Sequence, residues 1–129
     1  MKPSVMLTVA SLLSILFSTF HLSGDITRGM EKGGASNLVA IPIMVIWLYG
    51  TLVLAERRSG YVIIFLGSLL GLGIPVVHMK GAGVGAQVAR APNGGFFFVW
   101  TMIALGVTSL FSIVLSARGL WSPQWGQSR

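Results

Sequence analysis

Residues 5–22 read VMLTVASLLSILFSTFHL, a run with no charge in it. Wound as a helix at about 1.5 Å per residue, it nearly spans a hydrocarbon layer about 30 Å thick. Lys2, just ahead of it, resembles the charged start of a secretory signal. The run is long for the apolar part of such a signal, and no Ala-x-Ala site follows, so it is predicted to remain an uncleaved span. Three more runs repeat the pattern. Leu38 to Ala55 is stopped by Glu56-Arg57-Arg58-Ser59-Gly60. Tyr61 to Val77 carries Pro75 near its end, and Phe96 to Ala117 follows the breaker cluster Pro92-Asn93-Gly94-Gly95. The predicted fold is all-α: a transmembrane four-helix bundle in one domain, with spans at about 5–22, 38–55, 61–77 and 96–117.

Composition agrees. The chain has 129 residues, of which 9 % are charged, against about 25 % in an ordinary soluble domain, and its mean hydropathy is +0.81. Lipid can solvate an apolar exterior that water cannot. There is no cysteine, which excludes disulfides, thiolate metal sites and redox chemistry through cysteine pairs. The net charge of +6 is scattered over the connections, whereas nucleic-acid binding needs a clustered basic face. The bilayer, and not nucleic acid, is the expected partner.

Four spans put both termini on one side. The turn Glu56–Gly60 is short and holds the Arg57-Arg58 pair, so the positive-inside rule assigns it and both termini to the cytoplasm. Ser23–Asn37 and Met79–Gly95 are then the longer outer connections, with Asp25, Lys80 and Arg90 outside. Trp121 and Trp125, one helical turn apart, suit headgroup depth.

Three pieces, His21-Leu22-x-x-Asp25-Ile26-x-Arg28-Gly29, Trp47-Leu48-Tyr49-Gly50-Thr51-Leu52-Val53-Leu54 and Phe96-Phe97-Phe98-Val99-Trp100, resemble a group of small uncharacterised bacterial four-helix integral membrane proteins. The resemblance covers all four spans. It implies a bacterial cell inner membrane and lends no activity and no functional residues.

Two helices carry polar stripes. Thr8, Ser11, Ser14, Ser18, His21 and Asp25 fall within an arc of about 140° on the first, and Thr101, Thr108, Ser109, Ser112 and Ser116 within about 100° on the fourth. Such stripes turn away from lipid, either as close helix contacts or as a hydrated path towards His21. Gly67 and Gly71 form a small-xxx-small face for tight packing, against another span or another subunit. Gly81-Ala82-Gly83-Val84-Gly85-Ala86 lacks the strand before it and the acid after it that a nucleotide loop requires.

The segment Phe20–Lys32 holds one of the two histidines and two of the three acids. His21, Asp25, Glu31 and His78 are the metal-capable set, all at the outer rim. His21 and Asp25, four apart, share a face if the helix continues through Gly24, although Asp25 can equally pair with Arg28. Two histidines with one or two carboxylates suit zinc, iron or manganese, and two histidines on different helices suit haem. Interfacial histidines bonded only to their neighbours are the simpler reading. No span contains an acid, lysine or arginine, which removes the usual proton-coupled carriers. The small multidrug resistance family shares the size but needs a glutamate in its first span. No catalytic residue and no cofactor stand out. The expected role is a non-catalytic accessory or assembly subunit, or a homo-oligomer. The alternatives are a metal- or haem-binding membrane protein using the rim histidines, and a small passive transporter.

Overall fold

The computed structural model describes residues 1–29, 31–78, 88 and 95–122. Lys80, Arg90, Trp125, the glycine-rich stretch 81–86 and the breaker residues 92–94 lie outside them. Among the described residues there are four long helices and no strand: α1 (Pro3–Thr27), α2 (Ala40–Leu52), α3 (Arg58–His78) and α4 (Gly95–Trp121). A short 3-10 helix, Ala35–Val39, leads directly into α2. By length and composition all four, with the 3-10 turn counted into α2, can cross a membrane.

The helices depart from the apolar runs at their ends, for local reasons. Pro3 opens α1, where a missing N–H costs nothing. The helix then continues past Leu22 to Thr27 and stops at Gly29, whose φ of 69° takes the left-handed conformation natural to glycine. The Gly29 N–H bonds the Ile26 carbonyl and closes the last turn. α2 ends at Leu52, earlier than its hydropathy suggests, because residues 53–57 are consumed by the turn. Glu56 there has φ 68°, and Gly60 lies directly against the Leu54 carbonyl, where no side chain would fit.

α4 packs along both α3 and α1, and α2 packs on α3 and more lightly on α1. α1 and α3 therefore lie across the bundle from each other, yet they also touch. The interior mixes apolar side chains, among them Leu7, Trp47, Ile64, Phe98, Met102 and Leu105, with many polar ones. Ser11, Ser14, Ser18, His21 and Asp25 of α1 are buried, with Thr101, Ser109, Ser112 and Ser116 of α4 facing them. Val5, Val9, Leu13, Leu16 and Phe20 are exposed on the opposite face of α1. Both stripes thus turn inward, and only Thr8 and Thr108, each at one edge of its arc, are half-buried, each bonded to the carbonyl one turn back. This reverses the amphipathicity of a helix on a water-soluble protein.

Small residues let the helices meet. Trp47 of α2 is 2 % exposed, and its indole lies flat on Gly67, where an added Cβ would sit 2.5–2.7 Å from three ring atoms. A Cβ at Gly71 would come within 2.6 Å of Ser109 Oγ on α4. The partners of the Gly67–Gly71 face are thus other helices of the same chain. A closed hydrogen-bond circuit ties α1 to α2. Trp47 Nε1–H donates to Ser11 Oγ at 3.0 Å, Ser11 donates to Thr51 Oγ1 at 2.7 Å, and Thr51 donates to the Trp47 carbonyl at 2.8 Å.

Candidate metal centre

Because α1 runs unbroken through Gly24, His21 and Asp25 stand one turn apart on its buried face, at 3 % and 4 % exposure. His78 ends α3, and the diagonal contact of α1 with α3 brings it to the same place. His21 Nε2 lies 3.3 Å from Asp25 Oδ2, and His78 Nε2 lies 3.4 Å from the same oxygen. The other carboxylate oxygen, Oδ1, takes Arg28 at 3.3 Å. Arg28 also donates from Nε to the Gly24 carbonyl at 2.8 Å, folding back closely over Gly24. Asp25 therefore pairs with His21 and with Arg28 at once, one on each oxygen. Phe98 of α4, fully buried, forms the floor. Its ring centroid is 5.5 Å from that of His21 and 6.0 Å from that of His78, with the Arg28 guanidinium 5.3 Å above it.

The His78 tautomer follows from its neighbour. Its Nδ1 lies 2.9 Å from the Ile74 carbonyl oxygen, which can only accept, so Nδ1 carries a hydrogen. In the neutral ring Nε2 is then a bare lone pair, and it faces a carboxylate oxygen. Two acceptors face each other favourably only with a proton or a cation between them. Neither ring nitrogen of His21 makes a hydrogen bond among the described residues.

Donor atoms of His21, Asp25 and His78 all lie within 4.8 Å of one another. Ligand atoms about 2.0–2.1 Å from one ion at tetrahedral angles stand about 3.3–3.4 Å apart, which is the separation of each imidazole nitrogen here from Asp25 Oδ2. The Ile74 carbonyl on His78 and the guanidinium on Asp25 are outer contacts of the kind that fix ligand orientation. Glu31 is exposed and stands outside the three-donor group, although it lines the same cavity of about 330 Å³. The arrangement leaves no space for haem. Axial histidines hold their nitrogens on opposite sides of a porphyrin plane, whereas these rings meet edge to face with centroids 4.8 Å apart.

Sequence reasoning placed His21, Asp25 and His78 at one rim. It did not single out Phe98 or Trp47, whose roles depend on which helices meet. A scan against protein-family models and searches of curated proteins and of solved structures return no match to this chain.

Proposed function

We propose that this chain is a multi-pass integral membrane protein that binds one divalent transition-metal ion through His21, Asp25 and His78. The observation that carries the reading is the approach of His78 Nε2 to Asp25 Oδ2 at 3.4 Å, two acceptors when the ring is neutral, with Nδ1 held by the Ile74 carbonyl. Two imidazoles and one carboxylate suit zinc, iron or manganese and leave coordination positions open. Glu31 on the cavity wall adds a second negative charge near an ion that Asp25 alone would not neutralise.

The setting is a bacterial inner membrane, with both termini cytoplasmic and the metal centre at the outer rim. The apolar exterior and the Arg57-Arg58 pair support it. Service as an accessory subunit or a homo-oligomer is compatible with the same centre and is decided by what copurifies with it in mild detergent.

The test is metal uptake by chelator-stripped protein, read by elemental analysis and titration with zinc, iron(II) and manganese(II). The expected result is one ion per chain, lost in His21→Ala and in His78→Ala, with the double variant no worse than either single one. Stripped protein that takes up no ion, with small and independent effects of the two substitutions, would sink the reading.

A further inference from the structure

The end of the bundle opposite the histidines holds a cavity of its own, about 380 Å³ in volume, where the start of α1, the start of α3 and the end of α4 meet. Its lining is graded along the helices. On α4 the order from the helix end inward is Ser122, Arg118, Leu115, and on α1 Met6 and Leu7 lie one turn inside the first residue. Tyr61 of α3 closes the third side. Polar groups thus mark the outer part of the cavity and hydrocarbon its inner part.

The charge around this cavity is one-sided. Lys2 precedes α1, Arg57 and Arg58 stand at the start of α3, and Arg118 lines the cavity itself; all four are exposed. Glu56 is the one acid at this end, and it lines a separate depression with Ser4 and Thr8. Among the described residues it forms no ion pair with any of the four cations. The side chains here therefore carry a net charge of +3, whereas Arg28 and Lys32 balance Asp25 and Glu31 at the opposite end among the described residues. α1 also begins here with no side chain capping its first N–H groups, which favours a nearby anion.

We propose that this cavity seats the headgroup of an anionic glycerophospholipid. The Arg118 guanidinium takes the phosphate, whose oxygens match its planar fork of N–H donors. The glycerol and the first part of the acyl chains lie over Met6, Leu7 and Leu115 and continue into the bilayer. A free phosphate ion would use Arg118 and leave that hydrocarbon wall wet, whereas a lipid covers both. Trp121, beside Ser122, is 84 % exposed and suits the same headgroup level. The volume lies near the lower limit of small-molecule sites, enough for a head with its tails left outside. Basic pockets between membrane helices are natural seats for such heads. The inference rests on the membrane reading and needs neither the ion nor a choice of side.

The test is titration of the full chain in mild detergent with phosphatidylglycerol, phosphatidylcholine and inorganic phosphate, the bound lipids being counted by native mass spectrometry. One phosphatidylglycerol per chain should bind about tenfold more tightly than phosphatidylcholine, whose choline cation meets the same positive field. Arg118→Gln should weaken the phosphatidylglycerol about tenfold, the loss of one charge-assisted contact. Arg58→Gln, which removes a cation that is not on the cavity wall, should weaken it only about twofold, as for a screened surface charge. Equal binding of the two lipids, or equal losses in Arg118→Gln and Arg58→Gln, would mean a diffuse surface charge and overturn the site. Displacement of the lipid by millimolar inorganic phosphate would make this a soluble-anion site and overturn the lipid assignment. None of these outcomes depends on whether the stripped protein takes up a metal ion.

Discussion

The two ends of the bundle hold cavities of similar size and opposite character. The end that carries the start of α1, the end of α4 and the 53–57 turn has a cavity of about 380 Å³, lined by Pro3, Met6, Leu7, Tyr61, Arg118 and Gly119. Lys2, Arg57, Arg58, Arg118 and Glu56 there are exposed, and among the described residues no group of three metal-capable donors forms at this end. The other end has a slightly smaller cavity, yet its His21 and Asp25 are buried and aimed at a common point with His78. Volume does not separate the two. What separates them is whether polar groups have been taken out of solvent and left facing one another, since such burial is expensive unless something completes it.

The largest effect that can break this contrast is on ion binding. Asp25→Asn should lower metal affinity by about 100-fold or more, since ligand and outer contacts together set it, whereas Arg118→Gln at the other end should leave it unchanged in the same titration. Equal losses in both variants would mean that the two ends are electrostatically alike and that the convergence at Asp25 is incidental.

Next in size is the sidedness of the two ends. The chain has no cysteine, and Ser36 and Ser59 are both exposed. Single cysteines at these positions, probed on intact cells with an impermeant thiol reagent, should label strongly at 36 and weakly at 59. The reverse pattern would place the metal centre on the cytoplasmic side.

A smaller effect sharpens what holds the site end together. Gly67→Leu should cost about 1–3 kcal/mol through overpacking against the Trp47 indole, seen as a lower melting temperature in detergent. Gly73, where an added Cβ meets nothing within 4 Å, is the control: Gly73→Ala should melt close to the unaltered chain. The smallest effect belongs to the hydrogen-bond circuit. Ser11→Ala removes the acceptor of Trp47 Nε1–H and should cost about 1 kcal/mol. An unchanged melting curve would mean that α2 is held by indole packing alone.

Much of this was legible in the order of residues. Ser11, Ser14, Ser18, His21 and Asp25 recur at helical spacing, so their common burial follows once the exterior is apolar. The extension of α1 through Gly24 was legible only as a condition, because hydropathy falls at Ser23 whereas the backbone stays helical until Gly29 can reverse it. The meeting of His21 with His78 was not legible. The two lie 57 positions apart on helices that face each other across the bundle, and their meeting depends on the contact of α1 with α3. Trp47 was hidden for the same reason. A tryptophan in an apolar run has no periodic signature, and its role depends on Gly67 and Gly71 of another helix lying beneath it.

Joining α1 to α3 through Asp25 also has a consequence in time. His21 and Asp25 leave the ribosome before His78, which follows only after α2 and α3 have been made. Until α3 is inserted and docked, the carboxylate has Arg28 and His21 for company and the three-donor cluster does not exist. A chain cut short anywhere before residue 78 carries the polar face of α1 without its partner from α3. The cluster therefore forms only with three quarters of the bundle in place, and under the proposed metal reading a bound ion would mark correct assembly.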